Sequence, residues 1–152
     1  MVMSTDDNLI EYQPDILEYG IDDFDSYHAK AREDILRRLR TEWWVRGKNF
    51  KVDVGSIRTT YSLEMDDTKL DETQFTRCAV YLILAEYALP QLTKWNANGD
   101  EDKFQVMMMH YRKKYDTEFN QILQDGVRYD YDDDGTVEDI EKQPFHTRRL
   151  IR

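Results

Sequence analysis

The chain is expected to be mainly α. It would be a bundle of three long helices with an irregular or short β insertion between helices 1 and 2, and an extended C-terminal arm. Three observations predict this. Apolar residues recur at three- and four-residue steps through three long stretches. Asp, Asn and Gly stand where those stretches begin and end, as caps and turns require. The excess charge is confined to the ends: residues 1–25 carry −8, residues 26–129 carry +1, residues 130–141 carry −7 and residues 142–152 carry +4. A near-neutral body with charged ends suits one packed core, and a length of 152 residues suits one domain. The expected organisation is an acidic N-terminal segment (1–20), a helical bundle (21–126), an acidic calcium-type loop (127–141) and a basic/apolar arm (142–152).

In residues 1–20, Leu9, Ile10, Tyr12, Ile16 and Leu17 are apolar points, and Pro14 forbids one long helix. A tail followed by a short docked turn is expected. The first long helix should run from about Asp22 to Trp44. Phe24, Tyr27, Ala31, Ile35, Leu39 and Trp43 share one face, with acids near the start and Arg37, Arg38 and Arg40 toward the end, the order a helix dipole favours. Residues 45–70 resist assignment: 49–54 alternate like a strand between Gly47 and Gly55, and Ile57, Tyr61 and Leu63 suit a second extended piece.

The second helix is announced by Asp71 with Gln74 three residues on, a capping-box pair. Apolar residues surround it almost completely, so it should be central, and Pro90 should end or kink it. Asp100, after the Asn96–Gly99 turn, is the expected cap of the third helix. That helix places Phe104, Met107, Met108, Tyr111, Tyr115, Phe119, Ile122 and Leu123 in helical register. Its Met107-Met108-Met109 run suits adaptable core packing, and Gly126 is its stop.

Catalysis finds no foothold. His28, His110 and His146 lie in separate segments, and no nucleophile elbow, phosphate loop or dinucleotide fingerprint occurs. Cys78, the only cysteine, sits in an apolar setting that suits a buried thiol, which excludes an intrachain disulfide and a cysteine-based metal site. No apolar run is long enough to span a bilayer, and no basic segment precedes one as in a signal peptide, so a soluble protein of a reducing compartment is expected. No broad basic face favours nucleic acid as the main partner.

One motif carries chemistry. Residues 130–141 match the twelve-residue calcium loop of an EF-hand: Asp130, Asp132 and Asp134 at positions one, three and five, Gly135 at six, Thr136 at seven, Val137 at eight and Glu141 at twelve. Calcium takes six to eight hard oxygens, which the three aspartates, the Thr136 carbonyl and a two-oxygen Glu141 would supply. Gly126 and the strand-like 127–129 stand where an entering helix belongs, and Pro144 leaves room for little more than one turn after the loop. Calcium binding without a sensor's groove opening, or a plain acidic turn, are the readings left open; a single-hand calcium-binding regulatory protein is the alternative function. Beyond the loop, apolar Phe145, Leu150 and Ile151 interleave with Arg148, Arg149 and Arg152, which suits either a frayed terminus or an arm that orders on a neighbour.

Taken in order, several segments resemble the head–tail adaptor (connector) proteins of tailed bacteriophages. They are Asp23-Phe24 through Ile35, Leu70 to Leu82, Phe104 to Tyr111, and above all Gly126-Val127-Arg128-Tyr129-Asp130-Tyr131-Asp132 running into Asp134-Gly135-Thr136 and an Arg-rich end. The likeness spans about residues 20–152; the acidic N-terminus and residues 45–65 depart from it. It implies a non-enzymatic virion protein of the neck, made in the host cytoplasm. Such a protein forms a homo-oligomeric ring, twelvefold by that resemblance, between the portal protein and neck or tail proteins. DNA passes through without specific binding and no membrane is involved. The arm residues Phe145 and Arg148 to Arg152 would meet the portal or a neighbouring subunit.

Overall fold

The computed structural model describes residues 2–44, 65–94, 99, 102–139, 141 and 142. The strand-like insertion expected within 45–64 and the arm from 143 onward lie outside these residues. What is described is mainly helical, and among the described residues there is no strand, only an isolated antiparallel bridge between Leu70 and Tyr129. No helix among them is long and apolar enough to cross a membrane. The chain divides into two compact units, Met1–Ile35 with Phe75–Asn120, and Leu36–Gln74 with Gln121–Arg152.

In the first unit, helix α1 (Asp6–Tyr12) and a 3₁₀ turn (Ile16–Tyr19) flank Pro14. Leu9 and Ile16 are fully buried, so the acidic segment is docked through its apolar points while its acids stay wet. Asn8 reaches back to accept from the Thr5 N–H at 3.0 Å, which closes the N-terminus of α1. Helix α2 (Asp25–Leu39) begins three residues later than the spacing suggested, because Asp23 accepts from the Asp25 N–H at 2.8 Å and stands outside the helix. Its expected inward face holds: Phe24, Ala31 and Ile35 are buried.

The central helix runs in four pieces: a 3₁₀ turn (Glu72–Phe75), α3 (Thr76–Leu82), a π-helical stretch (Ile83–Ala88) and α4 (Leu89–Leu92). Every residue from Cys78 to Ala85 is buried, the thiol included, as an all-round apolar helix demands. Pro90, expected to end or kink this helix, follows a change of helix type and stands two residues before its end. The wide turn before it, in which the Leu89 N–H bonds Leu84 five residues back, absorbs the missing donor, and the helix continues to Leu92. The cap expected at Asp100 lies outside the described residues; Asp102 stands at the start of helix α5 (Lys103–Asp125). Asp102 accepts from the Gln105 N–H at 2.9 Å while Gln105 accepts from the Asp102 N–H at 3.2 Å, a reciprocal box. Tyr111, Tyr115 and Phe119 are buried along α5, and Phe119 meets Phe75 with centroids 6.4 Å apart. Of the methionine run only Met107 and Met108 are partly buried; Met109 points outward, 53% exposed, because three consecutive residues cannot share one helical face.

The second unit is smaller in regular structure. A π-helical turn (Arg40–Trp44) continues α2 and buries both Trp43 and Trp44. The expected capping box at Asp71 is absent: Asp71 accepts from the Thr73 N–H and hydroxyl, and Gln74 turns elsewhere, to the junction described next. Gly126 stops α5 as expected. Its φ of +99° lies where side chains are disfavoured, and its N–H bonds the Ile122 carbonyl at 3.0 Å.

Candidate functional site

The acidic loop rises from a built platform. After Gly126 the chain runs alongside residues 66–71. The Asp71 N–H bonds the Arg128 carbonyl, and the Asp130 N–H bonds the Lys69 carbonyl, each at 3.0 Å, on either side of the Leu70–Tyr129 bridge. Gln74 extends this ladder with its side chain, donating to the Gly126 carbonyl and accepting from the Arg128 N–H, both at 3.0 Å. Arg128 pairs with Asp71 at 3.4 Å. Partial burial pushes the Asp71 carboxyl up, but its bonds to Thr73 and Arg128 outweigh this and hold it below its ordinary value. Below the ladder Trp43, Trp44, Tyr129 and Tyr131 form one aromatic cluster, the two tyrosines 4.8 Å apart. The Tyr129 hydroxyl accepts from the Asp66 N–H at 3.1 Å, which pins the segment before the bridge.

The loop itself folds around Asp130, which is buried. One of its oxygens accepts from the Asp133 N–H at 2.7 Å, the other from the Gly135 N–H at 2.9 Å. That closure needs left-handed backbone at Asp133 (φ +65°) and Gly135 (φ +87°), which aspartate tolerates and glycine prefers. Asp134 accepts from the Thr136 N–H and hydroxyl, at 2.8 and 2.7 Å, and these bonds lower its carboxyl pKa. The Asp132 carboxyl is raised, by lost hydration first and then by the charge of Asp134 beside it.

Three of the five expected metal residues are brought together: oxygens of Asp130, Asp132 and Asp134 lie within 4.8 Å of one another. Two oxygens bound to one calcium at about 2.4 Å can be no more than about 5 Å apart, so this spacing fits a shared ion. Each Asp130 oxygen keeps a second lone pair beyond its backbone bond. Glu141 is not part of the converging group. Its two oxygens accept from the Tyr131 N–H at 2.7 Å and the Glu138 N–H at 2.8 Å, pinning the end of the loop to its beginning. Thr136 neighbours Asp134 and would offer its carbonyl. Helix α5 ends at Asp125, five residues before the loop, and after it only one turn is described, with Lys142 bonded to Glu138. The expected partner residues Phe145, Arg148, Arg149, Leu150, Ile151 and Arg152 lie outside the described residues.

The platform contacts of Gln74, Tyr129 and Lys69 have no local signal, since they form only when residues distant in sequence are folded together. A second polar constellation, in the first unit, was likewise invisible to spacing. Buried His28 lies 2.7 Å from the Ser4 hydroxyl through Nδ1 and 2.9 Å from the Asp6 carboxylate through Nε2. The order is the reverse of a hydrolytic triad, with the carboxylate half exposed and the hydroxyl at the bottom. It ties the N-terminal segment to α2.

No protein-family model, curated protein or solved structure matches this chain.

Proposed function

We propose that this chain is a head–tail adaptor of a tailed bacteriophage, a virion structural protein without catalytic activity. In this reading its three-helix body packs into a ring that joins the portal to the neck or tail and lets DNA pass. The observation that carries the reading is the Gly126–Asp132 junction, the segment on which the resemblance rests most. An arm that must hold a neighbouring ring needs a stiff base. The ladder to residues 69–74 and the Trp43, Trp44, Tyr129 and Tyr131 cluster supply one, ending eleven residues before Lys142. The net charge of −10 suits a channel wall to which DNA does not adhere. Removing residues 145–152 is the test. The truncated chain should keep its helical signal and fail to attach to the portal ring of its own phage; truncated chains that still close full heads would sink the reading.

A calcium site is favoured by one separate observation, the convergence of Asp130, Asp132 and Asp134 oxygens. Within the adaptor reading the ion would stiffen the base of the arm. Calorimetric titration separates the cases. Binding lost in Glu141→Gln without new apolar exposure supports a fixed structural ion. Binding that exposes apolar surface to a reporter dye supports a calcium-binding regulatory protein instead.

A further inference from the structure

A groove runs between residues 2–7 and the outer face of α2. Its volume is about 580 Å³, its floor includes Ser4, Asp6 and His28, and Val2, Asp7, Asp25, Ala29 and Glu33 form its rim. Two features set it apart. Val2 is 60% exposed, one of few large apolar side chains so placed among the described residues. Its rim is acidic: Asp7 and Asp25 are exposed, and the one arginine in the wall, Arg32, is ion-paired to Glu33 at 3.4 Å.

We propose that this groove receives residues 145–152 of a second copy of the chain, an inference that rests on the adaptor reading for the arm's role in assembly. The match is chemical. Residues 142–152 form the strongly basic block of an otherwise acidic or neutral chain, at +4, and they interleave Phe145, Leu150 and Ile151 with Arg148, Arg149 and Arg152. A groove lined by exposed Val2 and Ala29 together with the carboxylates of Asp7 and Asp25 offers both apolar and anionic contacts. Ten residues follow Lys142, and extended at about 3.3 Å each they reach roughly 33 Å, enough to leave their own subunit. Such a contact pairs two different surfaces, arm and groove. It is head-to-tail, the interface type that closes into rings when the rotation permits.

The experiment uses the full chain and three variants: Arg148→Glu with Arg149→Glu, Asp7→Arg with Asp25→Arg, and all four changes together. The altered rim residues are exposed, and helical signal checks that each variant folds. Sedimentation velocity should show the native chain self-associating, less so in concentrated salt. Either pair of reversals should weaken association roughly tenfold, as attraction between two charge pairs becomes repulsion. The fourfold variant should recover it. An equimolar mixture of the two reversed variants should associate where neither does alone, because each supplies what the other lacks. A native chain that stays monomeric at every concentration, association indifferent to both reversals, or a mixture that remains dissociated would overturn the proposal. Those results leave the adaptor reading intact, since that is read separately by attachment to a portal ring.

Discussion

Two polar regions of this molecule treat their charges in opposite ways. Around His28, Ser4 and Asp6 each ring nitrogen has one partner, the ring is buried, and the group is closed. Around Asp130, backbone N–H groups satisfy one side of each carboxylate while Asp130, Asp132 and Asp134 turn their remaining capacity toward a common point. The first arrangement holds chain to chain, with both ring nitrogens of His28 taken. The second carries like charges close together, and Asp132 is raised there, by lost hydration first and then by the charge of Asp134. Polar residues that complete one another are structure; polar residues that converge without completing one another are a candidate site.

The largest expected effect tests the open half of that comparison. Calcium at a hundred times its dissociation constant should stabilise the protein by about 2.7 kcal/mol, read as a rise in the melting temperature. Asp132→Asn and Glu141→Gln should remove the rise, the first by deleting a converging charge, the second by loosening the loop's closure. Because the Asp132 carboxyl is raised, its proton should compete with the ion at a higher pH than an ordinary aspartate's would. An unchanged melting temperature would make the loop a closed acidic turn and erase the contrast.

The closed half is tested by His28→Ala. It strands the Ser4 hydroxyl in a buried place and removes the partner of Asp6, so a loss of about 2 kcal/mol in urea unfolding is expected. Ser4→Ala should cost about 1 kcal/mol, and the double variant less than the two together, because the second change removes a group already stranded. Additive losses would mean that the three residues do not act as one unit. A third, smaller effect concerns the loop backbone. A Cβ at Gly135 would meet open space, so Gly135→Ala should cost about 1 kcal/mol through φ alone.

What was legible in the sequence follows from how local each cause is. Helices α2 and α5 and the buried stretch from Cys78 to Ala85 were legible because periodicity is a property of neighbours. Gly126 was legible for the same reason. Pro90 marked a break in the helix, but its form, a widened turn just before the proline with the helix running on to Leu92, shows only in the packed helix. Asp71 and Gln74 misled because a capping box competes with a distant alternative: Gln74 finds the Gly126 carbonyl and the Arg128 N–H, which spacing cannot reveal. The loop's aspartates were legible as ligands, but the Glu141 bonds to Tyr131 and Glu138 were not, since they depend on how the loop closes.

The smallest expected effect lies at the edge of the platform, in Asp71. Thr73 and Arg128 hold its folded carboxyl below the ordinary value of 3.8 despite the opposing pull of partial burial. A group depressed in the folded state contributes stability that is fully present above its unfolded pKa. That contribution fades as pH falls below about 3.8, because the unfolded chain then takes up the proton more readily. Asp71 is partly solvated, so the contribution should be well under about 1 kcal/mol. Asp71→Asn should therefore flatten the acid limb of the stability profile slightly while leaving neutral-pH stability little changed. A steeper acid limb in Asp71→Asn would mean that burial, not the Thr73 and Arg128 bonds, decides this carboxyl. The ladder beneath the loop would then draw its strength from backbone pairing alone.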